Sequence, residues 1–429
     1  MQHRRGLLYN NWMRGPTAFL FFTGLMLGAI FFVAIPFATK SGLVSKIISN
    51  EQFASVFFIE SVKPEIMKQT VALANINPAS KKLRIMVVPG HDNEYWGTQF
   101  LGMKEADLTL ELSRSLVNLL SADGEFDVLT SRTESGYNPL LSSYFASAKY
   151  DILKFAKGKK QVMNELISDG KVKTRTDGVS HNNAPSPVVV RLYGINKWAN
   201  ENDIDLVVHI HLNDYPRRKK SSPGEYSGFA IYVPERQYSN ARASKDIALS
   251  VSKQLKRFFP ESNMKKESAG VVEDQDLIAI GSFNTLDPAS ILIEYGYIYE
   301  APFQNATIRR KMLYELATAT YVGIQRFFNS KDVSIAGKYQ TSLLPHRWDE
   351  PVSTGAQFNP DVLSLQAALV LEGVYPPTGS DPHDCPMAGT YGACTRKSIE
   401  MFQHKYGISD KSGTFGEGTA RKLTELYGE

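Results

Sequence analysis

Between residues 83 and 328, short apolar runs of strand length alternate with stretches whose apolar residues recur at helical spacing. That alternation limits the fold more than any other feature. Leu83 to Val88, Phe126 to Leu129, Asp205 to His211, Gly228 to Val233 and Ile291 to Glu294 read as strands. Between them, Glu105 to Leu120 carries leucines at 108, 112, 116 and 119, the stripe of a half-buried helix. Residues 191–202 and 241–258 and the long run from Thr307 to Phe328 complete the series. Strands alternating with helices predict an α/β unit, a sheet covered by helices on both faces.

Two segments interrupt the alternation. Residues 134–188 hold a helical piece, Leu140 to Ile167, followed by the polar stretch SDGKVKTRTDGVSHNNAPSP. That is long for a loop in a compact domain and reads as an insertion: a lid, the docking site of a protein activator, or surface decoration. Residues 331–357, with Pro345, Pro351 and Gly355, read as a linker to a small helical unit at 358–429.

Ahead of the α/β unit, Ala18 to Ala38 contains no charged residue. About twenty apolar residues suffice for a helix to cross the hydrocarbon core of a bilayer. Arg4, Arg5 and Arg14 precede the run, which keeps residues 1–17 in the cytoplasm and exports the chain beyond the run. The run exceeds the roughly 7–15 apolar residues of a cleaved signal, and Pro36, Phe37 and Ala38 make a poor cleavage site. An uncleaved single-pass anchor at 18–38 is therefore expected, with the rest of the chain outside the cytoplasmic membrane; cleavage would make it secreted. Residues 39–82 would be a juxtamembrane segment lying against the membrane or the α/β unit.

With 48 basic and 44 acidic residues mixed along the chain and a net charge of +4, no basic stripe suggests a nucleic-acid partner. The two cysteines, Cys385 and Cys394, lie close together near the C-terminus. His383 and His404 are nearby, but their spacing matches no zinc pattern. In an exported segment a disulfide is a plausible alternative to two free thiols.

Active sites of α/β sheets collect where strands finish. Three strands here finish with a metal ligand or base: VVPGH at His91, DLVVHIH at His211 and ILIE at Glu294. Glu105 opens the helix after the first of them, from where a carboxylate can reach back to the sheet. Two imidazoles and a carboxylate with one open position form a catalytic zinc set, beside which a second carboxylate can act as general base. Each residue also has an ordinary reading. His91 can be a turn residue, and Glu105 a helix-start glutamate favoured by the macrodipole. Glu294 resists that treatment, because an unpaired carboxylate on a buried strand is expensive. His209 lies two residues from His211 and faces the same way on a strand, so either imidazole can be the ligand.

The set V-P-G-H at 88–91, K-E-A-D at 104–107, H-I-H-L-N at 209–213 and L-I-E-Y-G-Y at 292–297 resembles the zinc-dependent N-acetylmuramoyl-L-alanine amidases of bacterial walls. T-S-R-T at 130–133 and the run from Arg191 to Asn200 resemble that family's intermediate segments. The resemblance covers residues 83–330 and implies that His91, Glu105 and His211 hold Zn2+, with Glu294 as catalytic base. It selects His211 over His209 and leaves His209 and Asn213 as supporting groups beside the ligands. The implied reaction is hydrolysis of the amide between the lactyl group of N-acetylmuramic acid and L-alanine of peptidoglycan. Val88 stands where the family usually has an acidic residue, Asp92, Asn93 and Glu94 stand where it has small glycines, and His209 replaces its serine.

Residues 358–429 are similar to the small three-helix peptidoglycan-binding domain attached to many wall hydrolases. The turn G-x-[YF]-G-x-x-T occurs at 389–395 and again at 413–419. Thr395 and Thr419 are expected to cap the helices after each turn, and Leu365, Leu369, Ile399, Phe402 and Leu423 to form the core. A disulfide between Cys385 and Cys394 would help so small a core. The expected whole is thus an anchored α/β protein, a mixed sheet flanked by helices on both faces, with a three-helix C-terminal domain. Two competing functions stay open at this point: a non-catalytic peptidoglycan-binding scaffold, and a zinc peptidase cutting within the stem peptide.

Overall fold

The computed structural model describes residues 60–175, 186–215, 218–219, 221–328 and 339–428. The expected membrane segment, 18–38, lies outside them. Among the described residues no helix is long and apolar enough to cross a membrane.

Helix α1 (Pro64–Ile76) opens the described chain and is followed by β1 (Leu83–Pro89), α2 (Glu105–Ala122) and β2 (Phe126–Thr130). The insertion forms α3 (Pro139–Ser147) and α4 (Lys149–Ser168), two helices where the sequence suggests one; Ala148, with ψ near 15°, breaks the run. Then come α5 (Ser186–Glu201), β3 (Leu206–Asn213), β4 (Ala230–Pro234), α6 (Ala241–Leu255), β5 (Val271–Asp274), β6 (Ala289–Tyr297) and α7 (Ala306–Phe328). Helices α8 (Pro360–Leu371), α9 (Ala393–Tyr406) and α10 (Glu417–Tyr427) close the chain.

The six strands form one mixed sheet in the order β2-β1-β3-β6-β4-β5. All neighbours run parallel except β6 and β4, which are antiparallel. Alternation along each strand sorts side chains to two faces. Ile85, Val87, Val208, Ile210, Ile291 and Ile293 join the large core under α1, α2, α6 and α7. Met86, Val88 and Val207 face the other way, against Leu141 of α3 and Ile195 and Trp198 of α5. Strand β5 escaped the sequence reading because its four residues, VVED, carry too little apolar signal.

The segment before the sheet packs on the α/β unit. Met67 and Val71 of α1 are buried in the main core, and Arg242 of α6 holds Glu60 and Glu65 with its guanidinium. The segment expected as a linker is packed as well over its described part. Leu343, Leu344, Trp348 and Val352 are buried in one core with Phe258, with Ile308 and Met312 of α7, and with the C-terminal helices. Pro345 and Pro351 are exposed, and the segment is held by its four large apolar side chains, which gain more from burial than from solvation.

Leu365, Leu369, Ile399, Phe402 and Leu423 are fully buried, as expected of a core. Cys385 and Cys394 are joined in a disulfide with Cα atoms 5.8 Å apart. Thr395 and Thr419 are not caps: the capping positions belong to Gly392 and Gly416. Each threonine lies inside the first turn and accepts a hydrogen bond from a buried glutamine. Gln366 also donates to the Thr390 carbonyl and accepts from Gly389 N–H; Gln403 does the same for Thr414 and Gly413. Each of the two similar turns is thus clamped by the helix before it.

Glu315 of α7 is fully buried where the 341–343 segment crosses it and accepts two hydrogen bonds from Ser342, N–H and hydroxyl. Burial outweighs those donors and pushes its carboxyl up to about 7 from an ordinary 4.5. A proton kept in the fold but lost from the unfolded chain stabilises the fold fully below the unfolded pKa, and that stability is lost as pH rises through the folded one. Over that window the loss is about 3 kcal/mol. Urea unfolding at pH 5 and pH 8 should therefore differ less in Glu315→Gln than in the parent chain, by about that amount. An unchanged difference would remove Glu315 as the source.

Candidate metal centre

Strands β1, β3 and β6 are neighbours in the sheet and parallel, so their C-terminal ends open on the same edge. The backbone register sets Glu294 of β6 directly beside His211 of β3, and Gly90 N–H donates to the Ile210 carbonyl at 2.8 Å. His91 therefore emerges next to His211. Glu105, at the first turn of α2, completes the group.

Glu105 is 3% exposed and bridges the two imidazoles. Its Oε2 lies 3.0 Å from His91 Nε2, and its Oε1 lies 3.0 Å from His211 Nδ1. The same oxygens accept from Thr98 N–H and Leu212 N–H, at 3.0 and 3.2 Å. The two rings stand nearly perpendicular, centroids 5.2 Å apart. One ligand atom from each of the three residues falls within 4.8 Å of the others. Among the described residues this is the group of three that could hold a metal ion.

This packing sets the charges. Burial works to raise the Glu105 carboxyl, but the His91 charge and hydrogen bonds from both imidazoles outweigh it and hold it far below the usual range. Burial opposes protonation of His91 too, yet the Glu105 carboxylate prevails and raises its pKa. For His211 burial prevails and lowers it. The Arg132 guanidinium opposes protonation of both rings.

Two glycines leave room for this arrangement. A Cβ on Gly90 would sit 2.5 Å from the His211 ring. Gly97 has φ of +71°, and a Cβ there would collide with Glu105 Oε2 and lie 2.5 Å from the His91 ring. His91 itself has φ of 62°, in the left-handed region that histidine enters more readily than most residues. That conformation turns its imidazole from the strand direction towards Glu105.

Glu294 is 8% exposed, and its Oε2 has no hydrogen-bond partner among the described residues. Burial, then the charges of Glu105 and Glu267, push its carboxyl well above the usual range. The sequence reading missed Glu267, which is fully buried. It accepts from Asn213 Nδ2 at 2.8 Å and from the hydroxyls of Tyr232, Ser262 and Tyr297 at 2.6, 2.6 and 2.9 Å. Nothing in its local sequence, KKESAG, announces a buried carboxylate. Asn213 thus supports Glu267 and makes no hydrogen bond to the ligand triad. His209 is 1% exposed, hydrogen-bonds the Ala279 backbone, and is pushed down to about 3 by burial and by His211. It is a neutral imidazole deeper along the strand, outside the triad.

Arg132, marked in the sequence only as part of the T-S-R-T segment, is 1% exposed. It donates to the carbonyls of Gly90 and Ala106 at 3.0 and 2.7 Å, and so ties the backbone beside His91 to the backbone beside Glu105. Arg132→Met would take a buried donor from both carbonyls and leave the single Thr109 hydroxyl to serve the two, at roughly 1–3 kcal/mol. Urea unfolding should show a loss of about 1–3 kcal/mol; stability within experimental error of the parent would show that the Thr109 hydroxyl suffices.

A model of the family described as N-acetylmuramoyl-L-alanine amidase matches residues 85–326, more than half of the chain. The chain is similar to the solved N-acetylmuramoyl-L-alanine amidase from Clostridium difficile 630, with 20% identity, 59% of this chain and 100% of that one covered, and a TM-score of 0.36. It is similar to Ami1 from Mycobacterium smegmatis, at 16% identity, 58% and 98% covered, TM-score 0.37. AmiC2 of Nostoc punctiforme gives 15% identity, 58% and 98% covered, TM-score 0.36. No curated protein sequence matches the chain. The family match spans the sheet from β1 into α7 and takes in all four polar residues at its edge, so the chain belongs to the N-acetylmuramoyl-L-alanine amidases, hydrolases of the amide that joins peptide to glycan in peptidoglycan.

Proposed function

We propose that the chain is a zinc-dependent amidase that releases stem peptides from peptidoglycan during wall remodelling or cell separation. One observation carries the reading: His91, Glu105 and His211 offer two imidazole nitrogens and a carboxylate oxygen within 4.8 Å of one another, with Glu294 beside His211 in the ladder. Three protein ligands of these types match catalytic zinc, whose fourth position stays open. The donors fit chemically: Glu105 is held anionic and His211 neutral, and an ion bound there would displace the proton that Glu105 favours on His91.

His91, Glu105 and His211 would hold the ion, and Glu294 would act as general base and then general acid. Zinc bound there supplies Lewis acidity to the scissile carbonyl, makes attacking water more acidic and favours ionised Glu294. Glu294 would take a proton from the attacking water through its unpartnered Oε2 and return it to the departing L-alanine nitrogen. Leu292, on the same face of β6, and Ala230, across the ladder, are buried apolar neighbours that keep bulk water from that transfer. Glu267 fixes the strand ends behind it through Asn213, Tyr232 and Tyr297.

Location and partners belong to the same reading. The uncharged run at 18–38 would anchor the chain in the cytoplasmic membrane with the catalytic unit outside. The Cys385–Cys394 disulfide supports an oxidising compartment. The C-terminal helices would bind peptidoglycan and raise its effective concentration at the site. Helices α3 and α4 of the insertion would be where a protein activator acts.

Glu294→Gln should retain zinc and lose about 10²–10⁴ in turnover of muropeptides. His91→Ala should lose both metal and activity. Metal analysis of the purified chain and mass analysis of released peptides check both; products carrying a free L-alanine amine distinguish an amidase from a peptidase. Turnover retained in Glu294→Gln, or zinc at parent levels in His91→Ala, would falsify the assignments.

A further inference from the structure

The loop between the first two ligands, residues 92–98, reads DNEYWGT. It presents one large aromatic residue to solvent: Trp96 is 42% exposed. Its place is fixed from several sides. The indole Nε1–H donates to the Asn93 carbonyl at 2.7 Å, and the Trp96 carbonyl accepts from Ala106 N–H at 3.0 Å, one residue past Glu105. Gly97, next in the chain, packs against Glu105 and His91 so closely that no Cβ fits. At its other end the loop is pinned by Asp92, which accepts from Glu94 and Tyr95 N–H and from Tyr137, and is paired with Arg191. The Lys104 ammonium lies 3.6 Å from the Trp96 ring centroid.

An exposed tryptophan gives up the burial that usually places this residue inside a protein. Here it is also held rigid, within hydrogen-bonding connection of two ligand-bearing segments, which a surface accident does not require. Solvent-facing indole with an adjacent ammonium offers two things. The Lys104 ammonium covers one face of the ring, so it is the opposite electron-rich face that can attract the weakly positive C–H edge of a pyranose, while the ammonium's remaining N–H groups can donate to hydroxyl and acetamido oxygens. In the substrate the sugar is joined to the scissile carbonyl only by a short lactyl ether. A glycan residue must therefore sit within a few ångströms of the ligands whenever that amide is cut.

We infer that Trp96, with Lys104, forms the subsite that stacks the N-acetylmuramic acid ring of the glycan strand and so sets the preference for sugar-bearing over sugar-free peptides. The inference rests on the amidase reading of His91, Glu105, His211 and Glu294. It adds a residue that acts on substrate affinity.

The test compares N-acetylmuramoyl-L-alanyl-D-isoglutamine with D-lactoyl-L-alanyl-D-isoglutamine, which lacks the sugar, on the full chain. Trp96→Ala should lower the ratio of kcat/KM for the first probe over the second by roughly 3- to 10-fold, through KM, with zinc content unchanged. Trp96→Phe keeps a ring face but loses the hydrogen bond to Asn93; it should restore most of the ratio. Calorimetric affinities for the two probes, measured on the Glu294→Gln chain with and without the Trp96 changes, give the same ratio without turnover. Equal loss on both probes, loss of zinc, or no difference between the alanine and phenylalanine variants would overturn the subsite. Hydrolysis of neither probe by the parent chain would instead count against the amidase reading, while the affinity ratio still decides the role of Trp96.

Discussion

The carboxylate of Glu105 is the point on which the site depends. It is buried, accepts two backbone N–H groups, and stands 3.0 Å from one nitrogen of each imidazole. An ionised carboxylate in such a place is tolerated only when charge or hydrogen bonds compensate it. Here the compensation comes from groups that arrive from three directions: the end of β1, the end of β3 and the loop at Thr98. Any divalent ion held by this group would replace a compensation that the metal-free protein already supplies with protons. The binding geometry is thus close to formed before an ion enters, which keeps the ordering needed on binding small.

Around that carboxylate the backbone is held more by its own carbonyls and N–H groups than by salt bridges. Arg132 donates to two carbonyls rather than to an acid, and Gly90 and Gly97 admit ring and carboxylate where any side chain would collide. The loop after His91 departs from the glycine-rich pattern of the family, and the structure gives that departure a physical meaning. Asp92 acts as the hub of a turn, capturing Arg191 of α5 and the Tyr137 hydroxyl, so rigidity comes from side-chain bonds. A loop held in that way can carry a bulky aromatic residue outwards.

The C-terminal helices are not appended loosely over the described residues. Ile308 and Met312, on the helix that closes the sheet, share a core with Leu343, Trp348 and the three terminal helices, and the Ser227 hydroxyl meets His383 Nδ1 at 2.7 Å. A shared core makes the orientation of the terminal helices relative to the catalytic edge a property of packing.

Much of this was legible in the residues themselves. The alternation of strand and helix periods, the parity that puts His209 and His211 on one side of β3, and the ligand types at three strand ends are local properties, and local periodicity survives into the fold. The buried leucines of the terminal helices were legible for the same reason, whereas the nearness of Cys385 and Cys394 left their disulfide one of two alternatives until the structure joined them. Strand parity alone left two candidates for the histidine that joins Glu105, and the family resemblance selected His211; the structure shows why, since His209 lies buried deeper along the strand while His211 reaches the edge. Nothing in the sequence pointed to Glu267, and Arg132 was marked only as part of the T-S-R-T segment without a role; the importance of each lies in what surrounds it, four donors from distant segments for Glu267 and buried carbonyls for Arg132. Residues 331–357 read as a linker from Pro345, Pro351 and Gly355, although the described part of that segment buries Leu343, Leu344, Trp348 and Val352. Only the tertiary structure decided these points, since burial and hydrogen-bond partners are set by chain segments far apart in sequence, and a local window contains neither.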